Sequence, residues 1–110
     1  MNYDYPSIAL QGIEGLIFVR PDEILYATAD GNYTIVHLSK KRQSKVLRQL
    51  KEVEILLPHE SFTRIHRSHV INLEHVIRLG NKETVMMTDG VELALARDRK
   101  AEFIEKFTRI

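Results

Sequence analysis

Three dipeptides bound what this chain can fold into: Asp30-Gly31, Gly80-Asn81 and Asp89-Gly90. Each stands between short runs rich in β-branched and aromatic residues. Gly accepts positive φ freely, and Asp or Asn nearly so, which is the chemistry of tight hairpin turns. Hairpins joined this closely specify antiparallel pairing, because a parallel connection needs a crossover of a dozen residues or more. The spacing predicts a mainly β chain of about eight to ten short strands with two helices. At 110 residues it is one domain.

The runs between the turns can be read in order. Residues 1–6 form a lead-in, and Ser7–Leu10 a short edge strand. Leu16–Val19 is a continuous apolar run and predicts a buried strand. Residues 1–15 are thus read as an N-terminal lead-in and edge strand, and 16–110 as the domain proper. Pro21-Asp22 marks a turn. Glu23–Ala29 predicts a strand with Ile24, Tyr26 and Thr28 on one face and Leu25, Ala27 and Ala29 on the other. Asn32–Ser39 returns, and Lys40–Gln43 turns again. From Ser44, a plausible N-cap, Leu47, Leu50, Val53 and Leu57 predict a helix that Pro58 stops. Phe62–His66 and His75–Leu79 predict strands, with an irregular turn or a single helical turn over 67–72. Glu83–Met87 and Val91–Ala96 follow, the latter with Val91, Leu93 and Leu95 inward. Asp98 predicts the N-cap of a last helix striped by Ala101, Ile104 and Phe107.

Charge is distributed unevenly. Residues 31–51 carry Lys40, Lys41, Arg42, Lys45, Arg48 and Lys51 and no acid, whereas residues 1–30 carry Arg20 against Asp4, Glu14, Asp22, Glu23 and Asp30. A basic block in a chain of net charge +1 is either a phosphate-facing patch or a solvated hairpin and helix face. There is no cysteine, so no disulfide and no thiolate chemistry. No apolar run reaches the length of a membrane span, and the N-terminus lacks the form of a signal peptide. The expected location is the cytoplasm.

The stretch FTRIHRSHVIN, Phe62–Asn72, crowds Arg64, His66, Arg67, Ser68, His69 and Asn72 among a few apolar anchors. Forked guanidinium donors and an amide suit phosphates and base edges. Three candidate contact points sit in three turns: Asn32 with Tyr33, Arg67 with Ser68, and Arg97 with Arg99 and Lys100. Each has an ordinary reading, Asn32 as a turn former and Arg67 as a surface ion-pair donor. Arg97, Arg99 and Lys100 oppose the macrodipole at a helix start, which favours an anion-binding role. A metal-dependent nuclease built on His66, His69 and His75 is a rival reading, although the region lacks Cys, HExxH and paired acids. A protein-interaction module using the basic 40–51 segment is another. His66 reads most simply as a support for its own turn. No nucleophile–base pair or Gly-rich phosphate loop is visible, and no cofactor or catalytic activity is expected.

Four pieces in order resemble one family. They are F-x-R-I-H-R-S-x-x-I-N at 62–72 followed by Val76-Ile77, EILYATADGNYT at 23–34, LRQLKEVEILLP at 47–58, and G-x-x-L-x-L-A-R-x-R-K at 90–100. Together they resemble the LytTR DNA-binding domain over residues 16–107. The resemblance implies an elongated stack of short antiparallel sheets with two small helices. It implies bacterial transcription regulation of the two-component type, downstream of a receiver domain or sensor kinase. It also implies loops that enter the major groove of double-stranded DNA carrying repeated half-sites, bound by a DNA-assisted homodimer.

By position, Asn32, Arg67 and Arg97 correspond to the base contacts. Arg64, Ser68, Arg99 and Lys100 fall where DNA-backbone contacts are expected; Tyr33, beside the first turn, and Lys40 and Lys41, in the basic block, are read as further backbone contacts. Two positions depart from the family pattern. Ala96 stands where Ser is frequent, which removes a hydroxyl. Arg67 stands where Asn occurs in some members, which favours guanine through its O6 and N7.

Overall fold

A computed structural model describes residues 5–110; the lead-in read at residues 1–6 lies, up to Asp4, outside the described residues. Ten strands and two short helices are present among them. In order, β1 (Ile8–Gly12), β2 (Gly15–Val19), β3 (Ile24–Asp30), β4 (Tyr33–Leu38) and β5 (Gln43–Val46) precede helix α1 (Leu50–Leu56). Then come β6 (Phe62–His66), β7 (His69–Asn72), β8 (Val76–Leu79), β9 (Thr84–Met87), β10 (Glu92–Ala94) and helix α2 (Lys100–Ile104). Seven strands form one sheet in the order β2-β1-β5-β4-β3-β7-β6, and three form a second in the order β10-β9-β8. Every pairing is antiparallel.

The hairpin signals hold. Gly31 and Asn32 form a two-residue loop closed by Asp30 opposite Tyr33, with Gly31 at φ +60°. Gly in the first central position is the residue that turn requires. The β4–β5 turn, at the other end of β4, uses poorer chemistry: Lys40 and Lys41 sit at φ 61° and 59°, in the left-handed region that side chains resist.

The large sheet buries a core on each face. On one, α1 lays Leu50, Val53 and Leu57 against Leu10, Val19, Ile24, Ala27, Val36 and Val46. On the other, the small sheet and Phe103 of α2 cover Leu25, Tyr26, Ile65 and Ile71 with Val85, Met87, Leu93 and Leu95. Tyr26 ties the two sheets: its hydroxyl donates to Asp89 Oδ2 at 2.7 Å, and its ring stacks on His37 with centroids 4.3 Å apart. Burial, followed by that bond to a carboxylate, pushes the phenol well above its ordinary pKa.

Several expectations change. The predicted alternation along β3 fails at its start, because a bulge lies between Ile24 and Tyr26. One extra residue flips the pleat, so Ile24 joins Ala27 in one core while Leu25 joins Tyr26 in the other. Ser44 does not cap a helix. Ser44–Val46 pairs with β4, and α1 begins after Gln49, which forms a capping box with Glu52. Residues 69–72 are a strand inside the large sheet, beside β3. The strand at Ser7–Leu10 runs to Gly12 and lies inside the sheet, between β2 and β5. Leu16–Val19 is the outer strand, exposed except for Val19. Val91 is exposed. Asp98 lies within a 3-10 turn, Arg97–Arg99, that leads into α2; that helix is anchored by Phe103, whereas Ala101 and Phe107 are exposed.

Candidate nucleic-acid interface

Strand pairing fixes where the three turns lie. β3 and β7 pair antiparallel, with Thr28 opposite His69, and Ala29 donates its N–H to the Ser68 carbonyl at 3.0 Å. The Gly31–Asn32 turn and the Arg67–Ser68 turn are therefore neighbours at one end of the sheet. β6 leads into the second of these. On its outer side Ala96 donates its N–H to the Ile65 carbonyl at 2.8 Å, which places Arg97 next along the same end. With strands about 4.8 Å apart, Asn32 and Arg67 are separated by about 10 Å and Arg67 and Arg97 by about 7 Å. The three sequence candidates share one rim.

Their side chains are free to act. Asn32, Arg67 and Arg97 are exposed. Among the described residues, neither Arg67 nor Arg97 has a side-chain hydrogen bond or ion pair. Among the described residues the Asn32 side chain bonds to Gln49, whose amide donates to its Oδ1 at 3.4 Å. That contact brings in the β5–α1 segment, which sequence reasoning hid inside a helix. Arg48 lies on it, exposed, paired with Glu52 at 3.2 Å, its carbonyl accepting from the buried Thr34 hydroxyl at 2.9 Å. The Gln49-x-x-Glu52 capping box was the signal that could have moved the helix start from Ser44 to Gln49 and put Arg48 on the rim.

The backbone-contact candidates divide. Tyr33 is at the rim and half exposed, with Lys45 Nζ 5.1 Å from its ring centroid and the same ammonium 3.2 Å from Asp30. Ser68 is in the middle turn, its N–H donating to His66 Nδ1 at 3.0 Å, so His66 supports the turn as its sequence position implied. Arg99 lines the cleft between α1 and α2 with Lys51, Glu54, Glu102 and Lys106. Lys100 pairs with Glu83 at 2.8 Å.

Arg64 is spent on the scaffold. It donates to the His66 carbonyl at 2.8 Å, to Glu54 at 2.7 Å and to the Arg67 carbonyl at 2.5 Å, and its side chain is 16% accessible. Lys40 and Lys41 are not brought to this rim: their turn lies at the opposite end of β4, a strand length of about 17–20 Å away. Asn72 is a framework residue, 1% exposed. Its amide donates to the Ile24 carbonyl at 2.9 Å, and its Oδ1 accepts from the Glu74 N–H at 2.9 Å.

The histidines do not form one site. His66 Nδ1 is taken by Ser68, and both nitrogens of His75 are bonded elsewhere, to Thr88 at 3.0 Å and the Asp22 carbonyl at 2.7 Å. No group of three potential metal ligands converges among the described residues. His69 lies beside His66, with ring centroids 5.1 Å apart, and its Nδ1 is buried without a partner. Burial first, then the neighbouring His66, holds its pKa below the ordinary histidine value. Burial does the same to His37.

Comparison with known proteins bears on the family and the fold. None of the curated proteins matches the chain. Among solved structures, the chain is similar to a LytTr DNA-binding domain of a methyl-accepting/DNA response regulator from Bacillus cereus. The two share 25% identity and a TM-score of 0.76 over 90% of this chain and 94% of the other. Residues 14–108 match the family described as the LytTr DNA-binding domain. The chain belongs to the LytTR family, the DNA-binding output domains of response regulators.

Proposed function

We propose that this domain reads double-stranded DNA sequence-specifically through its rim of turns, with Arg67 central in the major groove and Asn32 and Arg97 on either side. Bases are read by the Asn32 amide and the Arg67 and Arg97 forks, whose bidentate geometry distinguishes base edges. Tyr33, Ser68, Arg99 and Arg48 hold the flanking phosphates, which set register and carry no sequence information. The domain performs no catalysis. It acts in the bacterial cytoplasm as the output of a two-component regulator under a receiver domain or sensor kinase, and binds repeated half-sites. No helix among the described residues is long and apolar enough to cross a membrane.

One observation carries the reading: turns far apart in sequence share one rim, and among the described residues the guanidinium groups of Arg67 and Arg97 have no side-chain hydrogen bond or ion pair. The rim spans about 17 Å, near half of a DNA turn of about 34 Å, a footprint suited to one half-site. Selection of bound duplexes from a random pool, followed by gel shifts at two salt concentrations, tests it. Arg67→Ala and Arg97→Ala should each weaken binding to the selected duplex by about 1–3 kcal/mol and relax preference at one base pair. Equal affinity of the wild type for selected and scrambled duplexes refutes sequence reading.

A further inference from the structure

The large sheet has two outer strands, and among the described residues only one is capped. Along β6, Ala96 bonds to Ile65. Strand β2 pairs only with β1 among the described residues. Its backbone orientation follows from the next ladder. The Gln11 carbonyl accepts from Leu47 at 3.1 Å and the Ile13 N–H donates to Lys45 at 3.2 Å, so these β1 residues point toward β5. The alternate residues Ile8, Leu10 and Gly12 point toward β2, opposite Val19, Ile17 and Gly15. The N–H and C=O of Leu16 and Phe18 therefore project out of the sheet. The side chains along this open edge are apolar and exposed: Leu16 49%, Ile17 39% and Phe18 62%. Edges of this kind usually carry a charge or a Pro as protection; this one carries neither within the strand.

We propose that this edge is a self-association surface, on which a second copy adds its own β2 antiparallel about a two-fold axis at Ile17. The register is dictated by the sequence. Leu16 then lies opposite the partner's Phe18, and both residues have outward backbone groups, so they exchange hydrogen bonds. Their side chains meet on one face while the two Ile17 side chains meet on the other. At the ends, Glu14 faces the partner's Arg20, twice by symmetry; Arg20 Nε also lies 3.4 Å from its own Asp22, so the pairing shares that guanidinium between two carboxylates. Centring on Leu16 instead sets Phe18 against Glu14. Centring on Phe18 sets Leu16 against Arg20 and Glu14 against Asp22. Slipping by one residue mates outward with inward backbone groups and loses the bonds.

The edge is short. Five residues bury less than the roughly 1,200 Å² of a standard stable interface, so the pairing is weak and responds to local concentration. The two-fold axis also reverses β2, and with it the rim at the start of that strand. Paired copies present their rims at opposite ends, each to its own duplex segment; this consequence rests on the DNA-reading role proposed above, whereas the pairing does not.

Because the chain has no cysteine, a single introduced thiol tests the geometry without DNA. The Ile17 pair is of the non-hydrogen-bonded kind, with Cα atoms about 4.5 Å apart, within disulfide reach. Under mild oxidation, Ile17→Cys should form a linked dimer about tenfold faster than Glu92→Cys, an exposed position on the other sheet. In sedimentation equilibrium, Glu14→Arg should weaken association about tenfold, and Glu14→Arg with Arg20→Glu should restore it. Equal linking rates, or association indifferent to Glu14→Arg, overturn the proposal. A gel shift on a duplex with one half-site reads the rim separately, and its failure leaves the cross-linking result intact.

Discussion

Replacing Arg64 with Ala distinguishes a scaffold arginine from a DNA-contacting one. Its guanidinium holds the His66 and Arg67 carbonyls and the Glu54 carboxylate at 2.8, 2.5 and 2.7 Å. Hydrogen bonds involving a charged group contribute about 1.5–3 kcal/mol when well enclosed. Two of the three bonds are partly buried, and removing the cation also leaves Glu54 without its counter-charge. The exposed Arg67 carbonyl recovers a water partner and contributes little. The sum is a loss of about 2–4 kcal/mol, or a fall in Tm of about 10 °C or more for a domain of this size. Arg64→Lys should recover less than half, because an ammonium cannot span three acceptors in a plane. DNA affinity should fall in Arg64→Ala only through a disordered turn, and recover in conditions that stabilise the fold. Thermal melts and gel shifts on the same preparations decide it. An unchanged Tm with lowered DNA affinity and a reduced salt slope would refute the scaffold role and make Arg64 a phosphate contact.

Three further outcomes follow from the same geometry. Lys40→Asn with Lys41→Gly should stabilise the domain by about 1–2 kcal/mol in chemical denaturation, by relieving two left-handed side-chain residues. It should leave specific DNA affinity within about twofold at physiological salt, since that turn lies more than a Debye length of about 8 Å from the rim. Asn72→Ala should lower stability by about 2–3 kcal/mol through the buried carbonyl and N–H it leaves unpaired, read as a shifted denaturation midpoint with an unchanged slope. His37 and His69 have folded pKa values below the ordinary 6.5, so the unfolded chain binds protons first. Their contribution is therefore full above pH 6.5 and lost as pH falls through the folded values. Melts from pH 7.5 to 5 should show declining Tm, flattened in His37→Gln with His69→Gln, and a Tm that rises on acidification contradicts the reasoning.

The turns that carry the candidate contacts were legible because their chemistry is local. Gly31 needs its φ wherever the hairpin sits, and Asn32, Arg67 and Arg97 fall in turns that propensity alone locates. Arg64 and Lys100 were read as contacts of the same kind, yet one is closed on three acceptors and the other on Glu83. A free guanidinium and a committed one are identical in sequence; only the fold supplies or withholds a partner.

The sequence by itself determined the β-rich character, the hairpin turns, the helix stop at Pro58 and the turn residues available to touch DNA, because φ/ψ preferences and side-chain chemistry are properties of a few adjacent residues. Tertiary structure decided which ends of the strands those turns share, that Lys40 and Lys41 lie far from the rim, and that Leu16, Ile17 and Phe18 lie exposed on the outer strand of the described sheet. Apolar side chains show an affinity for burial, but whether anything covers them depends on strand order, which long-range pairing sets. The bulge in β3 makes the same point at the scale of one residue: Leu25 reverses its face only because its partner strands fix the register on either side.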